Sequence, residues 1–240
     1  MVGDSLARMP ARRDAFADVA GLEGVPSAMA AARDGIDALL RDRGLRRTGP
    51  DLTSESLLRG ARASALLEVV GGQGYDDSGV LRLSAQLLGL LPVWRRSPMQ
   101  ALARMHTLVA AGKVDDEVLG RPARGADRLV ELAHRVVVPT SAPALVVAAV
   151  VHAEIAASRA FVSDNGVIAR AAERLVLAER GVDPASVTVP EAGHQALAPA
   201  YHRALDAYAA GADGALRGWL LHCARAYAKG AELSPLAAGR

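Results

Sequence analysis

The chain has 240 residues and a mass of 24.9 kDa, which is enough for one substantial domain with its own buried core. With 51% hydrophobic and 22% charged residues, it is too apolar for a largely disordered protein. A formal net charge of only +2, with dispersed basic side chains and 3% aromatic residues, argues against a nucleic-acid partner.

Cysteine and lysine are both rare. A single cysteine, Cys223, excludes an internal disulfide and a cysteine-based zinc cluster. The longest apolar run, residues 142–153, is broken by a proline and a histidine, so we expect neither a membrane partner nor secretion. These features favour a cytoplasmic protein, and the strong preference for arginine over lysine is typical of a GC-rich bacterial genome.

Helical periodicity dominates the sequence and alternating strands are few, so the pattern predicts an all-α fold. Glycine or proline follows most periodic stretches and marks the predicted helix ends, for example at Gly44, Gly71, Gly72 and Pro92. The predicted helices span residues 26–44, 53–70, 78–91, 98–112, 125–137, 142–160, 166–181, 195–210 and 213–230. Residues 136–138 could instead form a short extended segment.

Three regions follow from these patterns. Residues 1–48 form an N-terminal arm and helix, with weak periodicity over the first 25 positions. Residues 49–232 form the main helical domain, and residues 233–240 are a C-terminal tail. The helix at 142–160 is apolar on nearly all faces, which predicts that it lies at the centre of the bundle.

The connection after this central helix carries the polar residues of interest. Ser163, Asp164, Asn165 and Gly166 lead directly into the next helix, whose first backbone N–H groups are free to bind an anion. Arg170 lies one turn further on the same helix face. The segment therefore predicts a phosphate site. The alternative is that these polar residues only cap the helix and Arg170 makes a surface ion pair.

The segment RAFVSDNGVIAR at residues 159–170 resembles the Fic/Doc (Fido) signature HPFxxGNGRxxR. The matching residues are Phe161, Asn165, Gly166 and Arg170. This resemblance implies a Fic-like helical bundle around a central buried helix, followed by an anion-binding loop and helix. It also implies the family's activity, which is transfer of a nucleotide monophosphate, usually AMP from ATP, to a protein hydroxyl.

Further similarities extend over roughly residues 50–230. His152 in AAVVHAEIAA lies seven residues before position 159, where family members often have a histidine. The segment LARMHTLV around His106 is similar to an earlier helix of the family. The helices after the signature are similar at Tyr201, Ala204, Leu205, Tyr208, Gly211 and Trp219. Residues 113–140 contain no clear hairpin of the kind that docks protein targets in the family.

The departures from the signature indicate a degenerate member. The family's catalytic histidine falls on Arg159, and arginine stays protonated, so it cannot act as a general base. The acidic metal-binding position falls on Ser163, the first glycine on Asp164 and the first phosphate-binding arginine on Val167. The sequence therefore implies no certain cofactor, with ATP as a candidate ligand, and we expect little help from Mg²⁺ because a hydroxyl is a poor replacement for a carboxylate.

The segment SALLEV at residues 64–69 resembles the family's inhibitory helix, [S/T]xxxE[G/N], with Val69 as a departure. Ser64 and Glu68 are four positions apart and share a helix face. The resemblance implies that Glu68 pairs with Arg170 and blocks productive ATP binding. The alternative is an ordinary exposed glutamate, because SxxxE occurs often by chance.

The remaining histidines lack the HxxxH and HExxH spacings of zinc sites, so the sequence predicts no metal site. His152 is interpreted as a satisfied core residue. The leading hypothesis is a degenerate AMP-transferase homologue that binds a protein partner or a nucleotide, with a homodimer as one form of partner. A divergent active transferase is the alternative, and a helical DNA-binding regulator ranks last.

Overall fold

The computed structural model describes residues 14–43, 49–69 and 74–237. Within these ranges the helices are joined by loops, with no β-strand and one isolated bridge between Ala111 and Val114, so the predicted all-α class is confirmed. Two short 3-10 turns occupy Leu88–Leu90 and Asp116–Val118. The α-helices are α1 (Ala15–Ala20), α2 (Val25–Arg43), α3 (Pro50–Leu67), α4 (Ser78–Gln86), α5 (Leu91–Arg96), α6 (Pro98–Ala110), α7 (Ala126–Val137), α8 (Ala144–Ser158), α9 (Asn165–Glu179), α10 (Pro190–Ala196), α11 (Ala198–Ala209) and α12 (Ala215–Glu232).

Helix α8 is the centre of the bundle, as its apolar sequence predicts. Every residue from Leu145 to Ile155 is buried, because α8 packs against α7, α9, α11 and α12 and has no face toward solvent. Two polar residues in this buried stretch, His152 and Glu154, therefore depend on partners from the surrounding helices.

The predicted helix at 78–91 is divided in the structure. Helix α4 ends at Gln86, a 3-10 turn follows, and α5 begins at Leu91 and runs through Pro92 to Arg96. Pro92 therefore lies in a first helical turn, where its missing N–H has no intrahelical partner to lose. The prediction that Pro92 ends a helix is wrong for this reason.

The predicted helix at 195–210 is two helices, α10 and α11, which separate at Leu197. Helix α10 begins earlier, at Pro190, and packs closely on α12 through Gly193. A Cβ at Gly193 would come within 1.9 Å of the Ala226 carbonyl oxygen. This contact requires glycine. The local pattern hides the helix because it is short and contains both proline and glycine.

The predicted arm contains an ordered element. Asp14 caps α1 by accepting the Ala17 N–H at 3.1 Å, and its carboxylate also accepts the Thr140 hydroxyl at 2.7 Å. Helix α2 packs along α12, and residues 136 and 137 belong to α7. Residues 1–13, 70–73 and 238–240 and the predicted helix end at Gly44 lie outside the described residues.

The three-part domain division stays a prediction. Among the described residues, no helix combines the length and the apolar character needed to cross a membrane.

Candidate functional site

The loop between α8 and α9 turns at two residues in the left-handed region. Arg159 ends α8 with φ 46°, and Asp164 precedes α9 with φ 58°. Asn165 holds the turn together, because its Oδ1 accepts the Phe161 N–H at 3.0 Å and its Nδ2 donates to the Phe161 carbonyl at 2.8 Å. The Asn165 side chain therefore shapes the loop, and its amide is engaged within the loop itself.

The start of α9 is an anion cradle. Its first backbone N–H groups have no partner within the helix, since the ladder begins where Ile168 donates to Asp164 at 3.0 Å. A Cβ at Gly166, in this first turn, would come within 2.5 Å of Glu68 Oε1. A carboxylate oxygen from α3 therefore lies against the helix start at which the sequence predicts an anion.

Arg170, one turn into α9, is 1% exposed and donates to four oxygens. Its Nε donates to Ser64 Oγ at 2.8 Å, and its Nη2 donates to the Ser64 carbonyl at 3.1 Å. Its Nη1 donates to Tyr201 Oη at 2.7 Å, and Nη2 also donates to Glu68 Oε1 at 2.5 Å. The predicted contact between Glu68 and Arg170 is therefore present.

The surroundings of Arg170 stabilise its positive charge. Burial alone disfavours the charged guanidinium, but the oxygens of Tyr201 and Glu68 outweigh this and raise the pKa of Arg170 above its ordinary value. The Glu68 side chain is 25% exposed, in contrast to its partner. One member of the ion pair is therefore buried and fixed, while the other borders solvent.

A pocket of about 760 Å³ lies beside this ion pair, a size typical of small-ligand sites. Its polar lining consists of Glu68, Arg124, Arg159, Asp164, Asn165, Arg170, Tyr201, His202 and Asp206. Arg124 and Arg159 are exposed and add positive charge to the lining. The arrangement can bind a ligand with negatively charged groups at the α9 end.

Two of the predicted site residues do not line the pocket. Ser64 lies beneath it and supports Arg170. Ser163 donates its hydroxyl to Asp164 Oδ2 at 2.6 Å and is absent from the pocket lining, so its role in phosphate binding stays a prediction. The Asp164 carboxylate also accepts the Tyr75 hydroxyl, and Lys113 Nζ lies 3.7 Å from it. Burial and the neighbouring Asp164 raise the pKa of Tyr75.

Tyr201 is a site residue for which the sequence predicts no role. Its Oη lies between Arg170 and His152, with His152 Nε2 at 3.0 Å. Burial raises the pKa of Tyr201 to about 12 and lowers that of His152 to about 4. Arg124, His202 and Asp206 were also missed, since only the folded chain brings α11 and the loop before α7 to one pocket.

No family model matches the sequence, and no curated protein matches it. Among solved structures, the chain is similar to a Fic family protein from Desulfovibrio desulfuricans G20. The TM-score is 0.63 and the sequence identity 19%, and the match covers 84% of this chain and 73% of that one. The arrangement of helices around α8 is therefore the Fic fold.

Proposed function

We propose that the pocket at the start of α9 binds a phosphate-bearing ligand, with ATP as the first candidate, and that the protein acts by binding and not by transfer. The observation that carries the proposal is the position of the Glu68 carboxylate. It contacts Arg170 and lies against Gly166, where the free N–H groups and the helix dipole favour negative charge. A phosphate group has the same charge requirement, so Glu68 and the ligand compete for one place.

Nucleotide transfer to a hydroxyl needs a group that removes the hydroxyl proton. The position that corresponds to the family's histidine holds Arg159, which cannot accept a proton near neutral pH. General base catalysis typically contributes about 10²–10⁴-fold to such reactions. The exposed Arg159 is instead suited to bind an anionic group of the ligand.

We expect Mg²⁺ to contribute little. The Ser163 hydroxyl is engaged with Asp164, and the Asp164 carboxylate is engaged with Tyr75 and Ser163. Val167 is a buried aliphatic residue, and it offers no positive charge at the position where the family has an arginine. The residues present therefore suit a phosphate held by Arg170 and backbone N–H groups more than a metal-bridged triphosphate.

Binding without transfer needs a partner that responds to the ligand. Glu68 is the C-cap residue of α3, so a ligand that displaces its carboxylate acts on the end of that helix. Val162 is 51% exposed on the neighbouring loop and lines the same pocket, which offers an apolar contact beside the ligand. We propose that a protein binds here, with a second copy of the chain as one candidate.

Calorimetry with ATP tests the site. We expect weak binding to the wild type and roughly tenfold or tighter binding to Glu68→Ala, because the variant removes the competing carboxylate and leaves Arg170 in place. Addition of Mg²⁺ should change either affinity little. Glu55→Ala is the matched control, since Glu55 lies on the same helix and pairs with Arg59 on the exposed surface.

The double variant Glu68→Ala/Arg170→Lys tests whether the ATP binds at Arg170 or at a different site. It should lose the affinity gained by Glu68→Ala, because lysine cannot reproduce the fork of guanidinium donors. Equal ATP affinity in wild type and Glu68→Ala contradicts the proposal. So does a gain that survives in the double variant.

Transfer by a divergent mechanism is the second candidate, and the position of His202 favours it. His202 lies on α11 and lines the same pocket, so an imidazole is present although Arg159 occupies the usual position. Incubation of Glu68→Ala with labelled ATP and a cell lysate should give no labelled protein if the proposal of binding alone is correct. Labelling that disappears in Glu68→Ala/His202→Gln supports the divergent transferase instead.

A further inference from the structure

Three buried side chains from three helices meet in the core, at the far side of Tyr201 from the pocket. They are His152 on α8, Glu173 on α9 and His194 on α10, and each side chain is 0% exposed. Their ligand-type atoms all lie within 4.8 Å of one another. The sequence spacing predicts no metal site because these residues are far apart along the chain, but the fold brings them together.

The contact between His152 and Glu173 has the distance of a hydrogen bond without its alignment. His152 Nδ1 lies 3.1 Å from Glu173 Oε2, yet it is buried with no hydrogen-bond partner. His194 Nε2 lies 3.1 Å from the same oxygen. Two imidazole nitrogens therefore converge on one carboxylate oxygen, and the nitrogen of His152 does so without hydrogen-bond alignment.

The other polar atom of each residue is held by an outer partner. His152 Nε2 lies 3.0 Å from Tyr201 Oη, and His194 Nδ1 lies 3.1 Å from His222 Nε2. The remaining oxygen of Glu173 accepts the Tyr227 hydroxyl at 2.8 Å. Metal-binding histidines and carboxylates are typically oriented by such second contacts.

Charge also favours a cation at this place. Burial of a carboxylate without a compensating charge is unfavourable. The two arginines that flank Glu173 along α9 are engaged elsewhere, since Arg170 pairs with Glu68 and Arg174 pairs with Glu191. The compensating charge therefore comes either from a proton on one of the two histidines or from a cation bound between them and Glu173.

We propose that His152 Nδ1, Glu173 Oε2 and His194 Nε2 bind a divalent transition metal ion that joins α8, α9 and α10. Two imidazoles and one carboxylate suit Zn²⁺ and its neighbours in the first row, whereas Ca²⁺ and Mg²⁺ prefer oxygen ligands. Ligand distances of about 2.0–2.2 Å place two ligand atoms at most about 4.4 Å apart, so a pair near the observed limit of 4.8 Å moves closer when the ion binds. All three side chains are 0% exposed, and three ligands leave a fourth coordination position that a water molecule can occupy.

This inference does not rest on the proposed ATP site. It can be tested on the full chain, expressed in medium containing Zn²⁺ and freed of any histidine tag. Elemental mass spectrometry of the purified protein should find about one transition metal ion per folded chain. The chain unfolded with a chelator should then refold with Co²⁺ to give the visible absorption bands of cobalt bound by nitrogen and oxygen.

The ligand set is tested by Glu173→Gln and His194→Gln, which should lose the metal. His106→Gln is the control, since His106 is equally buried but lies outside the cluster, and it should keep the metal. If the ligand variants do not fold, the wild type still decides. Its Tm should rise by roughly 5–10 °C when Zn²⁺ is present at 100 times its dissociation constant.

Two results overturn the proposal. One is a folded wild type that contains less than about a tenth of a metal ion per chain and whose Tm is unchanged by Zn²⁺, Co²⁺, Ni²⁺ and Mn²⁺. In that case protons between the two histidines and Glu173, and not a metal ion, stabilise the cluster. The other is metal that binds to Glu173→Gln and His194→Gln as well as to the wild type, which places the ion elsewhere.

Discussion

Helix α9 carries two arginines that look alike and do different things. Arg170 and Arg174 are four residues apart on one face, and each pairs with a glutamate from another helix. Each also donates to a serine of α3, Arg170 to Ser64 at 2.8 Å and Arg174 to Ser56 at 3.1 Å. The two assemblies therefore share their chemistry and their supporting helix.

They differ in the glutamate. Arg174 holds Glu191 through two bonds, from Nε to Oε1 at 2.8 Å and from Nη2 to Oε2 at 2.6 Å, and the Glu191 side chain is 7% exposed. Glu68, with 25% exposure, contacts Arg170 through one oxygen and borders the pocket. The same two residue types thus form a buried contact with two bonds at Arg174, and a contact with one bond beside the pocket at Arg170, where we propose that a ligand replaces the carboxylate.

Glu191→Ala is expected to have the largest effect. It leaves a buried arginine without its counter-ion, which costs about 3–5 kcal/mol of unfolding free energy. Glu68→Ala should cost no more than about 2 kcal/mol, because water and the other three oxygens around Arg170 remain. Urea denaturation of both variants measures the difference.

Glu55→Ala is the reference for an exposed ion pair. A pair four residues apart on a helix contributes only about 0.3–0.5 kcal/mol to the unfolding free energy. The effects on ATP affinity should have the opposite order. Glu68→Ala should bind ATP more tightly than the wild type does, and Glu191→Ala should not. If the two glutamate variants lose equal stability, the distinction between the two ion pairs is wrong.

The parts of the fold that could be predicted from sequence are those fixed locally. The apolar stretch of α8 has no polar face, so its central position follows from composition alone. The break between α10 and α11 has a local signal that the prediction overlooked, since Pro199 lies in the first turn of α11. Likewise, Pro92 continues a helical region because a new helix starts just before it.

The candidate site also has contacts that could be predicted from the sequence and contacts that could not. The pair of Glu68 and Arg170 was predicted because each belongs to a short pattern that resembles a family motif. The pair of Arg174 and Glu191 has no such pattern, and neither has the cluster of His152, Glu173 and His194. Their partners come from separate helices, so sequence spacing contains no signal for them. The hydrogen bond from Ser163 to Asp164 could not be predicted either, because it depends on the positive φ of Asp164 in the loop.

Effects smaller than that of Glu191→Ala are expected from glycine substitutions that press on each ion pair. A Cβ at Gly60 would lie 2.7 Å from Arg174 Nη2 and 2.8 Å from Glu191 Oε2, and a Cβ at Gly166 would lie 2.5 Å from Glu68 Oε1. Both glycines are helical, so alanine brings each a similar gain in helix propensity, up to about 1 kcal/mol. The difference between the two variants therefore reports how freely each glutamate moves.

Gly60→Ala should be destabilised by about 1–3 kcal/mol, because neither Arg174 nor Glu191 has room to shift. Gly166→Ala should stay within about 1 kcal/mol of the wild type, since the Glu68 carboxylate can rotate into the pocket while Arg170 keeps its other bonds. Its ATP affinity should nevertheless not rise as in Glu68→Ala, because the new methyl group occupies the place of the anion. Thermal unfolding and calorimetry measure both. A Gly166→Ala protein that binds ATP as tightly as Glu68→Ala would show that the phosphate does not lie against the start of α9.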